Sequence, residues 1–76
     1  MVVGVTLVNV LAGKEKEVYL KIKDMKKVKD VYHVFGEFDF VVIIYADSLS
    51  ELNKTVDEIR RIEGVTKTQT VVGAEI

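Results

Sequence analysis

Asp39 is the residue of this chain that packing explains least. It stands at the start of an otherwise apolar run, Phe40 to Ala46, where an ionised carboxylate must be solvated or partnered. It closes the corner Gly36-Glu37-Phe38-Asp39, in which Gly36 can take the positive φ that other residues resist and lets another group approach the backbone closely. A carboxylate so placed either accepts hydrogen bonds from turn amides or holds a cationic ligand group, and the residue types leave both readings open. Thr68 and Thr70 alternate on one face of a C-terminal segment, where by themselves they read as ordinary β-branched packing.

Other reactive groups are sparse. His33 is the one histidine, and no serine or cysteine lies at a spacing that would make it the base of a nucleophile, so a half-buried structural imidazole is expected. Zinc needs several nitrogen or sulfur ligands, and the chain has one imidazole and no cysteine. No glycine-rich phosphate loop with its lysine is present. No catalytic residue, metal or cofactor is expected.

The elements that must position Asp39 follow from periodicity. Residues 2 to 11 are β-branched on alternating positions, with Val3, Val5 and Leu7 on one side and Val2, Val8 and Val10 on the other, which predicts a strand covered on both faces. A helix is expected from about 14 to 27, with Val18, Ile22 and Met25 recurring at steps of four and three, acids in its first turn and lysines at its end. Val28-Lys29-Asp30 reads as a connector. It leads into a hairpin over 31 to 46, whose first strand places Val31, His33 and Phe35 opposite Tyr32 and Val34, and whose second runs from about 38 to 46. Ser48 with Glu51 fits a capping box for a second helix from 49, apolar at Leu49, Leu52, Val56 and Ile59 and stopped at Gly64. A last strand is expected over 66 to 74.

The order strand, helix, strand, strand, helix, strand predicts a single α+β domain of ferredoxin-like βαββαβ form, with a four-stranded antiparallel sheet whose first and third strands are central. Both helices cross on one face. The other face, apolar from Val2 through Ile44, needs a partner, and a face-to-face dimer is the simplest closure. Size points the same way: a domain of 76 residues buries only about 60% of its unfolded surface, and without cysteines it gains stability by association. A balance of 11 basic and 12 acidic residues offers no basic footprint for direct nucleic-acid binding. The apolar start is too short to span a membrane and lacks the flanks of a secretion signal, so a cytoplasmic protein is expected.

Gly36-Glu37-Phe38-Asp39, the apolar strand after it, the capped helix, Gly64-Val65 and Thr68-Gln69-Thr70-Val71-Val72 together resemble RAM, the effector-binding domain of the Lrp/AsnC (feast/famine) transcriptional regulators, over essentially the whole chain. The resemblance implies sheet-to-sheet dimers that assemble into rings, commonly octamers, with a small effector, usually an amino acid, held between dimers. Carried over by position, Gly36, Glu37, Phe38 and Asp39 would form the corner of the effector site, with Asp39 facing the ligand α-ammonium and the hydroxyls of Thr68 and Thr70 receiving its carboxylate. Tyr32 and Val34 would contribute pocket wall. Those regulators carry a helix-turn-helix ahead of this domain, whereas here the first strand begins almost at residue 1. A stand-alone RAM-like domain over residues 1–76 is therefore expected, binding an effector or assembling with full-length regulators.

Two other readings share the fold. One is a small dimeric α+β barrel enzyme using Tyr32, His33 and Tyr45; the other is an assembly domain that binds no ligand.

Overall fold

The computed structural model describes residues 1–73. The elements are β1 (Val2–Val10), α1 (Glu15–Lys23), β2 (Val28–His33), β3 (Phe40–Ala46), α2 (Leu49–Arg60) and β4 (Val65–Val72). They form one antiparallel sheet in the order β2-β3-β1-β4. The expected ferredoxin-like architecture is the observed one, and the two most apolar strands hold its centre because only they must bury both flanks in the ladder.

Pairing divides the side chains between two faces. Val8 lies between Phe40 and Thr68, Thr6 between Val42 and Thr70, and Gly4 between Ile44 and Val72. This is the helix side, where Val8, Phe40, Val42 and Ile44 join Val18 and Ile22 of α1 and Leu52, Val56 and Ile59 of α2 in one core. Gly4 allows α2 to settle onto the sheet, since a Cβ there would stand 2.5 Å from Leu52 Cδ1. On the opposite side Leu7 pairs with Val41 and Gln69, Val5 with Ile43 and Val71, and Val3 with Tyr45. Among the described residues no helix covers that side. Val3, Val5, Leu7, Val41 and Ile43 are half-buried there, and Tyr45 and Val71 are exposed.

Four local expectations are corrected. The first helix ends at Lys23, not 27, because the amide of Met25 turns back to Ile22 at 3.1 Å and that of Val28 to Met25 at 3.2 Å, tightening the chain into turns. Val28 to Asp30 are part of β2 rather than a connector: they pair with Ile44 and Ile43 across a bulge, giving β3 a partner along its length. The hairpin corner is wider than the sequence suggests. Residues 34–39 form a loop closed by the Val34 amide on the Asp39 carbonyl at 2.9 Å, which leaves Phe35 in solvent at 97% exposure. In α2, Leu49 is exposed, and Thr55 takes a buried place by donating its hydroxyl to the Glu51 carbonyl at 3.0 Å.

The second helix begins as its cap predicts. Ser48 Oγ accepts from the Glu51 amide at 3.2 Å, and the Glu51 carboxylate accepts from the Asp47 amide at 3.2 Å. The last strand ends at Val72, and position 74 of its expected span lies outside the described residues. Among the described residues no helix is long and apolar enough to cross a membrane, and no cluster of His, Cys, Asp or Glu could hold a metal ion.

Candidate functional site

The C-terminal end of β1 gathers the corner and the last strand. Asp39 donates its amide to the Val8 carbonyl at 3.0 Å, and its carboxylate Oδ2 accepts from the Val10 amide at 2.8 Å. The side chain thus takes over where the β1–β3 ladder stops, so one of the two readings left open by the sequence, bonding to main-chain amides, is present in the structure. The Asp39 carboxylate is half-buried and acceptor-only, with lone pairs beyond the one used by Val10.

Gly36 has φ +125°, a conformation that L side chains rarely adopt, although the space where a Cβ would point is open. Glu37 is exposed, Phe38 and Val34 are half-buried, and the Lys67 ammonium of β4 lies 5.7 Å over the Phe38 ring. Phe38 therefore ties the loop to the strand on the far side of β1.

Thr68 and Thr70 share a face, and that face is the helix side. Thr68 Oγ1 accepts from Arg60 Nε at 2.8 Å, which leaves its own proton to donate elsewhere. Thr70 Oγ1 is 2.9 Å from Oγ1 of the buried Thr6, so this hydroxyl is engaged inside the fold. Tyr32 pairs opposite Val41 and thereby belongs to the uncovered face, away from Thr68. The structure holds Asp39 to the end of β1 through Val8 and Val10, and Phe38 to β4 through Lys67; it places Tyr32 on the uncovered face and turns Thr68 toward Arg60 and Thr70 toward Thr6.

Two charged residues to which the sequence pattern gives no special place lie at this end of the sheet. Arg60 reaches Thr68 from eight positions earlier, and Lys67 covers Phe38. The signal in the sequence was faint: a lysine beside Thr68, and an arginine at the end of the helix that precedes that strand. With Thr66 and Val65 these residues line a cleft of about 220 Å³. That is below the roughly 300–1,000 Å³ of a typical small-ligand pocket, and its lining comes from β4 and Arg60 rather than from the loop that carries Asp39.

The groups considered for catalysis do not converge. His33 pairs opposite Phe40 on the helix side and is exposed rather than half-buried, whereas Tyr32 and Tyr45 face the other way. What surrounds the β1 end instead is a half-buried carboxylate on the loop side and, on β4, the Thr68 hydroxyl with Arg60 on the helix side and Lys67 over Phe38 on the opposite face.

A family model described as the Lrp/AsnC ligand binding domain matches residues 1–74. The chain is 38% identical over 66 residues to the HTH-type transcriptional regulator FL11 of Pyrococcus furiosus, a match covering 87% of this chain and 44% of that regulator. The chain thus spans less than half the length of the curated relatives it matches. The solved structure of the hypothetical protein PHS023 from Pyrococcus horikoshii superposes with a TM-score of 0.91 at 35% identity, covering 100% of this chain and 93% of that one. The same fold recurs at 16% identity, with a TM-score of 0.85, in the complex of the transcriptional regulator NMB0573 of Neisseria meningitidis with L-methionine, covering 97% of this chain and 50% of that one.

Proposed function

The chain belongs to the Lrp/AsnC ligand-binding domain family, a family of non-catalytic effector-binding domains related to transcriptional regulators, and on that premise we propose that its effector is an amino acid bound at the C-terminal end of β1. The observation that carries the reading is the arrangement of charge around Val8 to Val10. Asp39 on one flank suits an α-ammonium, while the Thr68 hydroxyl, with Arg60 beside it on the other, suits an α-carboxylate. Gly36, Glu37 and Phe38 form the wall next to Asp39, and Val34 holds that loop closed. Thr70 serves the site by fixing β4 to β1 through Thr6 rather than by touching ligand. The L-methionine complex of a regulator with this fold supports an amino acid as the ligand class.

A second copy closes the uncovered sheet face, in a dimer whose interface includes Tyr32, Ile43 and Tyr45. An apolar sheet face left bare in one protomer favours this pairing. Dimers then join, in a ring or with full-length regulators in the cytoplasm, so that a neighbouring subunit completes the pocket that one protomer leaves too small. The enzyme reading has no support in the placement of His33, Tyr32 and Tyr45.

Thermal unfolding in the presence of each common amino acid tests the function. A ligand at about a hundred times its Kd should add roughly 2.7 kcal/mol, a shift of several degrees for a domain of this size. An assembled sample that responds to none of them would overturn the amino-acid reading.

A further inference from the structure

The aromatic side chains beside α1 form a group that the proposed effector corner does not use. Val31 and Phe40, 9% and 2% exposed, lie in a cleft of about 520 Å³ between α1 and the β2 edge, which Tyr19, Tyr32, His33, Glu15 and Lys16 also line. Its volume falls within the roughly 300–1,000 Å³ of small-ligand sites, and a mainly apolar lining with a few polar groups is their usual make-up.

The rings are arranged in contact. Phe40 holds Tyr19 at 6.1 Å and His33 at 5.0 Å between centroids, each tilted by 31°, and His33 in turn meets Phe35 at 5.8 Å. These separations are those of offset or inclined aromatic pairs, the kind of contact a ligand ring would make with the same side chains. The exposed imidazole and the half-buried Tyr19 supply the accessible surface for it.

Charge at the mouth selects the ligand further. Lys16, Tyr19 and Lys23 follow one another at steps of three and four on α1 and so share a helix face, with the Lys23 ammonium 5.8 Å over the Tyr19 ring. Lys16 makes no ion pair among the described residues. Glu15 is already turned back, accepting from the Gly13 amide at 2.8 Å. Two ammonium groups therefore face solvent beside the aromatic wall, and the nearest carboxylate is partly engaged.

We propose that this cleft binds a small aryl carboxylate, its ring against His33 and Tyr19 and its carboxylate on Lys16. Apart from Tyr32 its lining lies on the helix side of the sheet edge, so pairing through the opposite face leaves it reachable.

The chain has one histidine and no tryptophan, so the ring C–H resonances of His33 form an isolated NMR reporter and indole fluorescence arises from the probe alone. Indole-3-propionate titrated into the intact, assembled protein should shift the His33 resonances saturably and raise indole anisotropy with the same Kd. Lys16→Glu should weaken that Kd by about tenfold, while neutral indole-3-propanol should bind both proteins alike. Unmoved His33 resonances at millimolar probe, or an equal Kd for indole-3-propionate in Lys16→Glu, would overturn the proposal.

Discussion

The main-chain amide of Val10 donates to Oδ2 of Asp39 at 2.8 Å across 29 residues of sequence, so the carboxylate holds β1 to the loop before β3 as well as carrying charge. The two duties are separable. Asp39→Asn keeps a carbonyl oxygen for the Val10 amide and removes the charge, whereas Asp39→Ala removes both. Asp39→Ala should cost about 1–3 kcal/mol in urea unfolding, with Asp39→Asn costing less, and both should lose the thermal response to amino acids. An Asp39→Asn protein that still responded fully would show that charge at this position does not recognise the ligand.

The Thr6 and Thr70 hydroxyls, 2.9 Å apart, form a second cross-strand tie, and here one partner is wholly buried. Thr70→Val should destabilise by about 1–3 kcal/mol, because it strands the Thr6 hydroxyl inside the core. The double variant Thr6→Val with Thr70→Val should recover most of that loss, since both polar groups leave together. A double-mutant cycle in urea measures the coupling, and simple additivity of the two changes would argue against the bond.

Ile43 sits in the middle of the uncovered face, opposite Val5. Ile43→Lys should convert the proposed dimer to a monomer in sedimentation velocity, because two ammonium groups would be buried without partners at the sheet-to-sheet contact. Wild-type protein that sediments as a monomer at micromolar concentration would remove the pairing altogether.

Glu51 links the α2 cap to the end of the α1 turn: its carboxylate accepts from the Asp47 amide and lies 3.1 Å from the Lys27 ammonium. The Asp47 amide first, and Lys27 second, hold its pKa below the ordinary 4.5, while Glu51 in turn raises that of Lys27 above 10.5. A depressed carboxylate pKa stabilises the fold in full above about 4.5, and that contribution is lost as the pH falls through the folded value. The raised lysine pKa contributes fully below 10.5 and is lost as the pH rises through the folded value. Melting temperatures between pH 7 and pH 3 should fall less steeply for Glu51→Gln than for wild type. Parallel profiles would show that this ion pair is not coupled to folding.

Strand and helix identities were legible because burial imposes periods of two and about 3.6 on the sequence, and the Ser48 cap marked the start of α2 to the residue. The length of α1 was not. Met25 continues the apolar spacing of Val18 and Ile22 although it sits in a turn, since a half-buried turn residue faces the same core as a helical one. Val28 to Asp30 look like a connector in the sequence because strand pairing depends on what β3 offers opposite them, which no local pattern records.

The sequence by itself determined the architecture and the uncovered apolar face, because each follows from side-chain type and order along one segment. Tertiary structure alone decided which hydroxyl faces what. Thr68 and Thr70 differ by two positions and look interchangeable in the sequence, yet Arg60 leaves the first a free proton and Thr6 engages the second. Their partners lie 8 and 64 residues away, and only strand register and helix docking bring such groups within hydrogen-bond reach.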